Sequence, residues 1–160
     1  MMQVKKKLVS ESALENQVYQ VFPGDLNPNN TLFGGHVMAL MDSVAYTIAT
    51  THSGNVCVTA CVDHINFIKP ARLGDKILIS GSVNRSWKTS LEVGIKVCKQ
   101  NIKGGEIEQI LKAYLVFVAI DQDGMPVEVP ELVSQSEEEH KRFMSAELRR
   151  EKRNSRRKRD

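Results

Sequence analysis

Asn27, the pair Gly34-Gly35 and Asp42 are the residues in this chain whose types and spacing suit chemistry. Asp42 is the one acidic group in an apolar run in which Val37, Leu40, Met41, Val44, Ala45 and Ile48 follow helical spacing. Met38, Ala39, Tyr46 and Ala49 carry the apolar surface around the remaining circumference, so this helix is expected to be buried nearly all round. A carboxylate there must lose its water, and it needs a partner or a task. Gly35 lies on the same helical face as Asp42, roughly 10 Å away along the axis. The first amides of a helix lack internal acceptors and sit at the positive end of the dipole, and glycines at those positions let a carbonyl oxygen approach. The combination reads as an oxyanion site beside a carboxylate that can act as general base toward water or as nucleophile toward an acyl carbon. Asn27 could orient the water or the carbonyl. The residues alone equally allow a plain reading, in which the glycines begin a helix, Asn27 caps a turn before Pro28 and Asp42 pairs with a hidden base.

These groups need a scaffold. Residues 17–22 are rich in β-branched and aromatic types and stop at Pro23-Gly24, which predicts a first strand. A polar loop leads to the helix, expected from Gly35 to about Thr51. Four strand-like runs follow, at 56–68, 76–84, 90–101 and 108–120. Gly104-Gly105 joins the last two as a hairpin, and without a following Lys-Ser or Lys-Thr it is no nucleotide-binding loop. After Pro126 and Pro130 a second helix is expected over 136–153, with Glu138 and Arg142 a favourable pair at spacing four. The order predicts an α+β fold over residues 1–135, an antiparallel sheet wrapped around a long central helix, followed by a charged C-terminal helix and basic tail over 136–160. A helix apolar on every side needs more cover than its own sheet gives, and a second subunit would supply it.

At 160 residues the chain suits one domain with a sizeable core. No secretory signal pattern and no membrane-spanning run are evident, so a soluble, cytoplasmic protein is expected. Cys57, Cys61 and Cys98 lie in strand-like runs without ligand spacing and read as reduced core thiols, and no metal site is expected. The net charge of +3 conceals a basic end: residues 141–160 hold ten Lys or Arg against three Asp or Glu. Blocks such as 149–153 and 156–159 read as solvated surface. Nucleic-acid binding is not expected, because no recognisable module accompanies the charge. Asp63 reads as a structural strand residue, with His64 on the opposite face at a surface or interface. His36, at the helix start, is a candidate substrate contact, and His52 and His140 show no partner spacing.

The run Asn27, Leu32-Phe33-Gly34-Gly35 and Met41-Asp42, followed by Val58-Thr59-Ala60-Cys61-Val62-Asp63-His64-Ile65-Asn66-Phe67-Ile68-Lys69-Pro70 and Gly74-Asp75, resembles the hot-dog acyl-CoA thioesterases. Within them it is similar to the bacterial acyl-CoA hydrolases related to the brain-type cytosolic acyl-CoA hydrolase, from about Gln17 to Arg153 and including Trp87-Lys88-Thr89-Ser90-Leu91-Glu92. Each motif is weak alone; their order and spacing are specific. The resemblance implies hydrolysis of acyl-CoA thioesters with Asn27 and Asp42 as a catalytic pair contributed by different subunits, and with Gly35 and Gly34 at the oxyanion. It places Thr89 and Ser90 beside CoA and sets the C-terminal helix against the assembled subunits; from the residues themselves, Lys69 and Arg72, close to Pro70, could pair with a phosphate or equally be exposed surface charges. It implies a dimer, built further into a hexamer as a trimer of dimers, and no cofactor beyond the CoA of substrate and product. Some relatives have His where this chain has Phe33, so no His-based chemistry is assigned there. A non-catalytic acyl-CoA sensor and a hot-dog acyl hydratase are the alternatives.

Overall fold

The computed structural model describes residues 5–158. Among them, five strands form one antiparallel sheet in the order β2-β4-β5-β6-β3: β2 Leu14–Gln20, β3 Val56–Phe67, β4 Lys76–Ser86, β5 Ser90–Gln100 and β6 Ile107–Ile120. The helix α1, Gly34–Ser53, lies along one face of this sheet. Its Val37, Met41, Ala45, Ile48 and Ala49 meet Ile77, Ile79, Leu91, Val93, Ile95 and Leu115 in the core. This is the expected α+β hot-dog arrangement. The first strand starts at Leu14 rather than at 17, and two short strands appear that periodicity could not reveal, β1 Lys6–Leu8 and β7 Glu131–Val133, paired in parallel. Three residues each is too short for a pattern.

The sheet covers only one side of α1. Met38 and Tyr46 remain 40 % exposed and Ser43 and Thr47 are exposed, so the all-round burial expected of this helix is not reached by a single chain. The uncovered side adjoins β3, which hydrogen-bonds to β6 alone and leaves Val56, Val58 and Val62 exposed along a sheet edge.

The register of β3 against β6 slips twice, between Thr59 and Cys61 and between Asp63 and Asn66. Each slip inserts one residue and exchanges the faces to which later residues point. Thr59 pairs with Phe117 on the α1 side; Cys61 and Asp63 pair with Val116 and Tyr114 on the outer face; Phe67 pairs with Leu111 and returns to the α1 side. His64, at φ 41°, lies inside the second slip, so the simple alternation expected of Asp63 and His64 does not apply there.

The outer face carries the second helix, α2, Glu137–Arg157, capped by Ser136, whose hydroxyl accepts from the Glu139 amide. Ala146 of this helix is fully buried, and the Arg85 guanidinium stacks on Phe143 at 4.0 Å. Glu92 alternates with the core residues Leu91 and Val93 and so points outward, yet it is fully buried under α2. Arg149 grips it with Nε and a terminal nitrogen at 3.1 and 2.6 Å, Asn84 donates to it at 3.0 Å, and Arg149 also stacks on Tyr114 at 3.6 Å. Removing one partner of such a pair costs about 3–5 kcal/mol, because a buried charge is left alone. The solvated surface expected of the tail holds for Glu151, Lys152 and Arg156, but Arg149 and Arg153 turn inward to Glu92. The expected Glu138–Arg142 pair forms at 2.6 Å. Arg159 and Asp160 lie outside the described residues.

His52, in the last turn of α1, is buried. Its Nε2 lies 3.0 Å from the Pro130 carbonyl, to which it donates when neutral, and its Nδ1 has no hydrogen-bond partner among the described residues. Burial pushes its pKa below the ordinary 6.5. The unfolded chain therefore binds a proton more readily than the folded one, so the stabilising contribution is complete above pH 6.5 and is lost as the pH falls below it. Thermal denaturation between pH 7.5 and 5 should show a falling melting temperature, and His52→Gln should flatten that slope.

Candidate functional site

Asp42 projects from the middle of α1 toward β3, where the Thr59 hydroxyl donates to its Oδ1 at 2.9 Å. The first slip in β3 is what allows this, since it follows Thr59 and leaves that residue on the α1 side while Asp63 faces away. Asp42 is half-buried and has no cationic partner among the described residues, so the hidden base that would make it structural does not occur. Its Oδ2 carries no hydrogen bond among the described residues and remains free to accept from a water or to meet an electrophile. Thr59 stands in the quoted strand motif, but no spacing rule marks it. Its partner comes from α1, and only the folded topology joins them.

Asn27 sits in the loop before α1 and organises it. Its Oδ1 accepts from the amides of Asn29 and Thr31 at 2.9 and 3.2 Å, and its Nδ2 donates to the Thr31 hydroxyl at 2.9 Å. Nδ2 has a second hydrogen to offer. The backbone of the same loop is closed by Asn27 N–H donating to the Thr31 carbonyl at 2.8 Å.

The amides of Gly34 and Gly35, in the first turn of α1, find no acceptor among the described residues; the first bonds onto the Phe33 carbonyl come from His36 and Val37. A side chain at Gly35 would place Cβ 2.5 Å from the Phe33 ring, and one at Gly34 would press on Phe67 at 3.3 Å, so the free amides depend on both glycines. Asn27 and Gly34 line a cleft of about 340 Å³ with Val37, Phe67 and Lys69. This is at the small end of the roughly 300–1,000 Å³ usual for ligand pockets. Gly35 and Asp42 do not line it. The chain thus brings Asn27 to the glycine turn and holds Asp42 elsewhere, against Thr59.

The other candidates are dispersed. His36 packs against the Tyr19 ring at 5.3 Å and lies 3.5 Å from an Asp25 oxygen. Asp25 also accepts from the Phe22 amide and from the Tyr19 hydroxyl, and the Phe22 bond is the main reason its carboxyl lies below its ordinary range. His36 therefore helps fix the turn beneath the glycines. Lys69 is at the cleft mouth but is paired with Glu108 at 2.6 Å, a contact that holds the Glu108 carboxyl below its usual range. Arg72 is exposed, and its backbone amide donates to Asp75. Thr89 and Ser90 form the β4–β5 hairpin, half-buried and away from the Asn27 cleft. Among the described residues, no three His, Cys, Asp or Glu side chains converge in a way that would hold a metal ion.

A family model described as the thioesterase superfamily matches residues 29–106. An uncharacterized acyl-CoA thioester hydrolase of Bacillus subtilis is 40 % identical over 120 residues, covering 75 % of this chain and 70 % of the relative. A crystal structure of an apo-hexameric acyl-CoA thioesterase superposes with a TM-score of 0.91 at 34 % identity, over 96 % of this chain and 97 % of that one. The acyl-CoA hydrolase from Staphylococcus aureus, solved with butyryl-CoA, CoA and CoA disulfide, matches with a TM-score of 0.87 at 34 % identity, over 95 % of this chain and 92 % of that one. Alanine variants of that enzyme replace an asparagine, an aspartate and a threonine, spaced from one another as Asn27, Asp42 and Thr59 are here.

The two tasks of Asn27 can be separated. Asn27→Asp keeps the acceptor for the Asn29 and Thr31 amides and should melt close to the wild type, whereas Asn27→Ala leaves those amides unmet and should lose about 1–2 kcal/mol. Thermal or urea denaturation of the two variants measures this.

Proposed function

The chain belongs to the thioesterase superfamily, and we propose that it cleaves acyl-CoA thioesters to the free acid and CoA, in sites that two subunits complete together. One observation carries the shared site. A single chain holds Asn27 beside the glycine turn and Asp42 beside Thr59, and these two halves do not line one cleft. The uncovered side of α1 and the exposed edge of β3 flank the Asp42 half, and a partner docked there would bring its own Asn27 to this Asp42. Association into a hexamer follows the related hexameric thioesterase.

In the chemical step the thioester carbonyl oxygen lies toward the Gly34 and Gly35 amides, which meet the negative charge as the carbonyl carbon becomes tetrahedral. Thr59 holds Oδ1 of Asp42 and so aims Oδ2 at the water. As general base, Asp42 takes a proton from water while the oxygen adds to the carbonyl carbon. The C–S bond then breaks, and the CoA sulfur leaves and is protonated. As nucleophile, the same oxygen would add to the carbonyl carbon and expel CoA as the C–S bond breaks, leaving a mixed anhydride that water opens to the free acid and the Asp42 carboxylate; the geometry serves both routes. The free hydrogen on Asn27 Nδ2 positions the water or the carbonyl. Thr89, Ser90, Lys69 and Arg72 are assigned to CoA, and no cofactor beyond CoA itself takes part. No helix of the described residues is long and apolar enough to cross a membrane, and the buried thiols Cys57 and Cys98 suit a reducing cytoplasm.

Release of free thiol from a panel of acyl-CoA chain lengths should be enzymatic and metal-independent. Asp42→Asn should retain CoA binding and lose most turnover, and Thr59→Val should lower kcat roughly tenfold, as expected for one hydrogen bond to a charged group. Binding of acyl-CoA without any thiol release by the wild type would instead mark a sensor.

A further inference from the structure

We propose that Asp63 and Arg153 are positioning residues for catalysis: the C-terminal helix reaches across the outer face of the sheet and pins the strand that aims Asp42. This rests on Asp42 being the catalytic carboxylate. Arg153 donates to Asp63 and lies 3.5 Å from the fully buried Glu92, which Arg149 and Asn84 hold on its other side. Two carboxylates and two guanidinium groups thereby close a neutral cluster joining α2, β5 and the edge strand β3.

The register of β3 explains why this contact matters. Within one chain this edge strand is held by β6, and the paired segment from Cys61 to Asp63 is bounded at each end by a slip that interrupts the ladder. Across the first slip, two residues before Cys61, stands Thr59, whose hydroxyl orients Asp42. The first slip sends Asp63 to the face opposite Thr59, which puts it within reach of α2; the second returns Phe67 to the α1 side, against Gly34. A straight strand would aim Asp63 at α1, and Arg153 could not reach it. The paired slips thus give one strand contacts with both helices, and the ion pair with α2 anchors the short paired segment that lies between the two interruptions. Losing it would leave the fold intact while widening the excursions of Thr59. Displacements near 1 Å in a catalytic constellation cost up to about a hundredfold in rate.

The test compares full-length variants in the assembled oligomer. Asp63→Asn is nearly isosteric, and Asp63→Asn combined with Arg153→Met removes both charges so that neither is stranded. Both should keep the oligomeric state and KM and lower kcat by about tenfold or more, while amides 59–63 exchange faster with deuterated solvent. Arg153→Lys, which keeps the charge, should restore part of kcat relative to Arg153→Met. Ser136→Ala, which weakens the far end of α2 by removing its cap, should lower the melting temperature and leave kcat unchanged. Wild-type kcat in Asp63→Asn, or the same kcat loss in Ser136→Ala as in Asp63→Asn, would overturn the inference. Asp42→Asn serves as the reference: if it is inactive while Asp63→Asn is unimpaired, the positioning role alone fails, and if Asp42→Asn is fully active the reading of the site itself fails.

Discussion

Much of this structure follows from one constraint, that β3 is a long edge strand with a neighbour on one side only. Its free edge and the bare side of α1 leave Val56, Val58, Val62, Met38 and Tyr46 in solvent. Natural sheets shield or break such edges, because unpaired backbone invites another chain. Here the edge is continuous with the exposed flank of the helix that carries Asp42, so the surface that most needs cover is also the surface that holds half of the site. Folding alone leaves both unfinished, and the association proposed above would complete both. Stability and catalysis would then share one interface.

The opposite face of the sheet obeys a different economy. It is covered by α2, a helix of low hydropathy, through stacked arginines and ion pairs more than through apolar packing. Glu92 and Asp63 are the two carboxylates that make this cover specific. Buried pairs of this sort add little net stability over an apolar interface, but they penalise every misplaced register, since each displacement strands a charge. A helix held in this way has one correct seat. The sheet beneath is then fixed from outside while the α1 side, which carries the proposed site, stays uncovered.

The sequence made the principal elements legible because their patterns are long: the apolar helical run after Gly35, four strand-like runs and a charged helix near the end all occur close to their expected places. The candidate pair was legible too, since a carboxylate within an apolar helix and glycines at its start are local features. What escaped was everything that depends on contact between distant segments. The strands β1 and β7 are too short to show a period. Thr59 gains its importance from α1, and Arg149 and Arg153 look like solvated charge until Glu92 and Asp63 are placed beneath them. Alternation along β3 misled for a physical reason, because an inserted residue reverses every face that follows it. Composition suggested a helix buried on all sides; a single sheet buries one, and the difference is what the proposed second subunit would cover.

The central claim is that Asn27 of one subunit works with Asp42 of another. It is tested most directly by mixing two inactive variants, Asp42→Asn and Asn27→Ala, in equal amounts under conditions that exchange subunits. Each mixed dimer would contain one site with both residues intact, so random pairing should restore about a quarter of wild-type thioesterase activity. Activity that stays at the level of the separate variants, with subunit exchange verified by mass spectrometry, would place both residues in the same subunit's site and contradict the shared arrangement.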